Sequence, residues 1–137
     1  APESPVAMVG YALYAMSGND GTGRPDYHSA INLLKDAARN RGFRKEALML
    51  LLDSAPDFMD AGEMTKYDVG LVIEEIFGDF FDDEKVVERL YVAALDTMED
   101  VLTAEMFCER GMQLNPGRFL PYKNELKAVM DDLGARP

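Results

Sequence analysis

Three strings of similar make recur along this chain, and their near-constant spacing limits the folds open to it. They are GNDGTGRPDYHSAI at 18–31, DFMDAGEMTKYD at 57–68 and DTMEDVLTAEMF at 96–107. Each passes from acids and small residues through a short step into a segment with helical periodicity. Aligned at the step, Pro25, Met64 and Leu102 stand 39 and 38 residues apart. Such an interval is expected of a repeated helix–loop–helix unit, in which one supersecondary element recurs at one period.

The segments between the strings read as helices throughout. Ser4 and Pro5 form a helix start, followed by Val6, Val9, Leu13 and Met16. A second helix begins near Asp26, carries Ala30, Ile31, Leu34 and Ala38, and is predicted to stop at Gly42. A third is predicted from Phe43 to Ser54, ended by Pro56. Thr65 with Asp68 starts a fourth, and Asp82, Asp83 and Glu84 start a fifth. Thr103 is predicted to cap a sixth, and the last is expected from Pro121 to Leu133, closed by Gly134. Only 63–65 and 101–103 read as extended steps. The expected class is all-α, with roughly seven helices in a single helical domain over 1–137. A division into two small lobes, 1–54 and 55–137, stays open.

Composition narrows the partners. Hydrophobic residues make up 47% of the chain, enough for a core. No apolar run approaches the ~20 residues of a membrane span. A single cysteine, Cys108, has no internal disulfide partner, so a reducing compartment and a cytoplasmic location are expected. The net charge of −11 is concentrated at residues 53–109, with 17 acids against Lys66, Lys85 and Arg89. An acidic centre repels nucleic acid and favours a basic partner. Nine methionines are the second unusual count. Methionine is adaptable and over-used on surfaces that accept helical ligands, although core gap-filling explains single cases.

On these residues the strings resemble the EF-hand family of calmodulin and the myosin light chains. That family sets oxygen ligands at loop positions 1, 3, 5, 9 and 12, with glycine at 6. An apolar residue at position 8 pairs with the sister loop through a short backbone bridge. In the first string Asp20, Thr22, Gly23 and Asp26 match positions 3, 5, 6 and 9, but Gly18 and Ser29 stand at 1 and 12. Pro25 at position 8 has no N–H for the bridge. In the second, Asp57, Gly62, Met64 and Thr65 match 1, 6, 8 and 9, and Asp68 stands where the long bidentate Glu belongs. Met59 and Ala61 at positions 3 and 5 offer no side-chain oxygen. The third, one residue short, matches Asp96, Asp100, Leu102 and Thr103 to 1, 5, 8 and 9, with Met106 at 12. Calcium takes 6–8 oxygens, and no string supplies more than about half of them. No bound metal or other cofactor is expected; weak calcium or magnesium at Asp57, Glu63, Thr65 and Asp68 is the ceiling.

The resemblance implies a non-enzymatic module that clasps a basic amphipathic helix of a protein partner, largely without calcium. Its groove is expected to draw on Met59, Met64, Ile73, Phe77, Met98, Met106, Phe107 and Met112. A second reading is a helical-repeat scaffold similar to Sel1-like or tetratricopeptide proteins, or an inhibitor or immunity-type protein using a concave face. It is suggested by DYHSAINLLKDAARNRG at 26–42 and LNPGRFLPYKNEL at 114–126. An enzyme is not expected: no nucleophile–base set, P-loop or strand–turn–helix glycine motif is present. His28 has no second His or Cys near it in sequence, and the carboxylate pairs are adjacent and expected to be exposed. The basic run Lys35, Arg39, Arg41, Arg44 and Lys45 suits a phosphate, an acidic partner or plain surface.

Overall fold

The computed structural model describes residues 4–19, 21 and 23–135. Among them every regular element is helical, and no strand or bridge occurs. Seven α-helices follow in order: α1 Pro5–Ser17, α2 Tyr27–Ala37, α3 Arg44–Asp60, α4 Lys66–Phe80, α5 Glu84–Val92, α6 Val101–Leu114 and α7 Pro116–Ala135. A 3-10 turn, Arg41–Phe43, precedes α3, and a π-helical turn, Ala93–Thr97, extends α5. The chain forms two compact units, Ala1–Val72 and Ile73–Pro137, divided inside α4. The lobe boundary expected at 54/55 falls within α3.

In the first unit α1 packs on α2 and α2 on α3. The buried residues of α1 are Ala12 and Ala15, and α2 buries Ala30, Ile31, Leu34 and Ala37. Small side chains on both helices let their axes come close. Gly18 ends α1 in a left-handed conformation, and any Cβ there would press on the Pro25 nitrogen at 3.3 Å. The Asp26 N–H returns to the Ala15 carbonyl at 2.8 Å, which ties the start of α2 to the end of α1. In α3, Leu48, Leu51, Leu52, Ala55 and Phe58 make the buried stripe, with Phe58 edge-on to Tyr27 at 5.5 Å.

In the second unit α6 packs against both α5 and α7. Val86, Val87, Leu90 and Tyr91 of α5 are buried, as are Ala104, Phe107 and Cys108 of α6 and Phe119 and Leu126 of α7. Phe77 lies against Phe107 with ring centroids 5.1 Å apart.

Several helix limits differ from the sequence expectation, and Gly134, expected to close the last helix, lies inside α7. Helix α3 continues through Pro56 to Asp60. An interior proline costs about 3 kcal/mol, but stopping before it would expose Phe58, which is fully buried. Helix α7 starts at Pro116, not Pro121: the Asn115 side chain accepts from the Arg118 N–H at 3.2 Å, and proline at the first helical position loses no bond. Helix α2 stops at Ala37, and Gly42 belongs to the 3-10 turn, capped by Asn40.

Candidate functional site

Side-chain caps explain what the three strings do locally. Asp26 accepts from the Ser29 N–H at 3.1 Å and from its hydroxyl at 2.7 Å, starting α2. The Thr65 hydroxyl accepts from the Asp68 N–H at 3.2 Å, and the Asp68 carboxylate accepts from the Thr65 N–H at 2.9 Å and hydroxyl at 3.0 Å. Asp100 accepts from the Thr103 N–H at 3.1 Å and hydroxyl at 2.7 Å. Each string therefore holds one acid and one hydroxyl three residues apart, satisfying donors at the start of a helix. Asp100, not Thr103, is the cap of α6. The step expected to be extended at 101–103 is that helix's first turn, where Leu102 is exposed. The bridge implied by the resemblance does not form among the described residues, and the Met64 N–H bonds to the Phe58 carbonyl.

These caps set the carboxylate chemistry. Hydrogen bonds from Thr65 hold Asp68 below its ordinary 3.8, and those from Thr103 do the same for Asp100. Of the weak metal candidates, Asp57 lies in the last turn of α3, while Glu63 faces the His28 ring at 3.5 Å. Thr65 and Asp68 are joined in the cap. Among the described residues no three His, Cys, Asp or Glu side chains are grouped to hold a metal ion. Asp20 and Thr22 of the first string lie outside the described residues.

The eight residues expected to line a groove divide by burial. Met64, Ile73 and Phe107 are 6%, 4% and 1% exposed and belong to the core, so they offer no surface to a partner in this conformation. Met59, Phe77, Met98 and Met112 are half-buried, and Met106 is 48% exposed. Phe77 and Phe107 are brought together as a core pair. Of the eight, only Met112 lines the groove that the second unit does possess.

That groove, of about 860 Å³, runs between α6 and α7. Cys108 and Leu126 are buried in its floor, with Met112, Leu120 and Met130 more open. Glu105 and Glu109 line it from α6, and Lys123 and Lys127 from α7. Gln113, Asn124 and Asp131 complete the lining. Burial raises the Cys108 thiol above its ordinary 9.0, partly opposed by Lys123, so it serves as a small apolar group.

Close packing and polar contacts hold the helices around the groove. Gly111 of α6 touches the Phe119 ring of α7 so closely that no side chain fits there. The Tyr91 hydroxyl of α5 donates to Glu125 at 2.9 Å, with the Tyr122 carbonyl at 3.2 Å. Burial first and Glu125 second push this phenol far above its ordinary 10. Arg118 reaches Glu84 at 3.8 Å and Glu88 at 3.7 Å. Arg110 donates to the Phe81 carbonyl at 2.8 Å, with its guanidinium 5.0 Å from the centre of the Phe81 ring. The sequence signal for the groove is readable afterwards: apolar Cys108 and Met112 beside Glu105 and Glu109, and Leu126 and Met130 beside Lys123 and Lys127, all at helical spacing.

A second surface feature lies on α1, whose 13 residues carry no charge. Val6, Tyr11, Leu13 and Tyr14 are exposed along it. The basic run at 35–45 surrounds the α2–α3 junction, where the Arg44 guanidinium donates to the Ala38 carbonyl at 3.2 Å. No described helix is long and apolar enough to cross a membrane. Comparison with family models, curated proteins and solved structures finds no match to this chain.

Proposed function

We propose that the protein is a non-enzymatic binding module that holds an amphipathic helix of a protein partner in the α6–α7 groove, without calcium control. The observation that carries this reading is the groove itself: apolar floor, charged sides and a closely packed hairpin beneath. A preformed groove lowers the ordering cost of binding, and a helix docks by placing its apolar face on such a floor. The second unit carries 15 acids against 7 bases, a net charge of −8, which favours a partner of net positive charge. On this reading the three strings, which resemble EF-hand loops, serve as helix starts, since one acid and one hydroxyl in each are engaged in a cap.

A second reading, a helical-repeat scaffold, is favoured by two observations. The capping residues Asp26, Thr65 and Asp100 begin every second helix, 39 and 35 residues apart. The most extensive helix packing joins sequence neighbours within each unit, α1 with α2, α2 with α3, α5 with α6 and α6 with α7, although Tyr91 of α5 also bonds to Glu125 of α7. That pattern is typical of stacked repeats.

The test of the first reading is titration of a labelled basic amphipathic peptide with the full chain, in calcium and in chelator. Micromolar binding, equal in both, is expected. Absence of binding of this peptide at millimolar protein overturns the preference for a basic partner. A calcium-induced rise of several degrees in melting temperature overturns its metal independence.

A further inference from the structure

The two sides of the α6–α7 groove differ in charge: α6 contributes two acids, and α7 contributes two lysines with Asp131 one turn beyond them. Glu105 and Glu109 stand one helical turn apart on α6, and Lys123 and Lys127 one turn apart on α7. None of the four makes an ion pair with another described residue. Lys123, Glu105 and Glu109 all act electrostatically on Cys108, so charges of both signs lie close over one apolar floor.

We infer that the groove selects an amphipathic helix with a basic flank facing Glu105 and Glu109 and an acidic flank facing Lys123 and Lys127. This inference rests on the helix-binding reading and narrows it, because a uniformly basic helix would set like charges against the two lysines. Complementary charge fixes register and excludes wrong partners more than it adds raw affinity. It also fixes direction. Reversing a helix in the groove exchanges its flanks, so a ligand with one basic and one acidic flank docks one way only. A helix with two identical flanks has no such preference.

The experiment uses three peptides of about 16 residues, long enough to span the groove at 1.5 Å per residue. They share one apolar face and differ in their flanks: lysine and glutamate, lysine on both, or glutamate on both. Binding to the full chain is read by fluorescence anisotropy at low and high salt. The lysine/glutamate peptide is expected to bind about tenfold more tightly than either other, with the advantage fading in high salt. The double variant Lys123→Glu, Lys127→Glu, at exposed positions, is expected to shift the preference to the lysine/lysine peptide. A paramagnetic label at the amino end of the lysine/glutamate peptide is expected to broaden resonances at one end of the groove.

Equal or tighter binding of the lysine/lysine peptide by the unaltered chain overturns this inference and leaves the helix-binding reading standing. An unchanged preference in the double variant, or broadening at both ends, also overturns it. Failure of all three peptides to bind overturns the helix-binding reading and the inference with it.

Discussion

Gly111→Ala tests the joint on which the groove depends. In an open helix position this change stabilises by about 1 kcal/mol, because glycine is the poorer helix former. Here the added Cβ would overlap the Phe119 ring at Cγ, Cδ1 and Cε1. Phe119 is fully buried, with the Tyr122 ring 5.7 Å away, so the ring has no free space to enter. Overpacking of this kind costs about 1–3 kcal/mol. Driving the ring out instead surrenders burial of a phenylalanine, worth about 1.5–3 kcal/mol. With both costs partly incurred and the propensity gain deducted, the expected net loss is about 2 kcal/mol. Urea unfolding followed by far-UV circular dichroism should show a lower midpoint with an unchanged slope. In a Phe119→Ala background the same alanine should be neutral or stabilising, giving a coupling of about 2 kcal/mol. An unchanged or raised midpoint for the single variant would refute the packing argument.

Tyr91→Phe should cost about 1 kcal/mol, one hydrogen bond's worth, in the same urea assay. Because the folded phenol titrates above its ordinary 10, Tyr91 contributes stability below that value and loses it as pH rises through and beyond it; the variant should flatten this alkaline decline. Asp68 and Asp100 titrate below 3.8 when folded, so their stabilisation is present above that value and lost as pH falls below it. Asp68→Asn with Asp100→Asn should reduce the slope of stability against pH there, and Asp100→Ala should cost about 1 kcal/mol of capping at neutral pH. Glu99 holds a left-handed φ of 53° after the π-helical turn, and Glu99→Gly should raise stability by about 0.5 kcal/mol, the relieved strain exceeding the added chain entropy.

Most helix starts were legible, because a cap is written within four residues, but α6 is capped by Asp100 rather than Thr103 and α7 starts at Pro116 rather than Pro121. Asp26, the Thr65–Asp68 pair and Asp83 all act where the local pattern puts them. Helix ends were less legible, since they depend on distant packing. Pro56 reads as a break, yet it sits inside α3, whose buried Phe58 requires continuation; Pro121 reads as a start, yet α7 begins at Pro116 and buries Phe119 ahead of it. The methionine count suggested a groove but could not separate core from surface. Ile73 and Phe107 fill the core of the second unit, while the open groove is built from mixed segments in which Met112 is the single shared residue. The contact of Gly111 with Phe119 joins two helices and carries no local signal of its own.

The most direct measurement of the helix-binding claim is an amide-resonance titration of the full chain with the lysine/glutamate peptide, in chelator. The account predicts saturable shifts centred on residues 105–113 and 120–131, unchanged when calcium replaces chelator. Absence of shifts, or shifts centred instead on Val6, Leu13 and Tyr14 of α1, would contradict it.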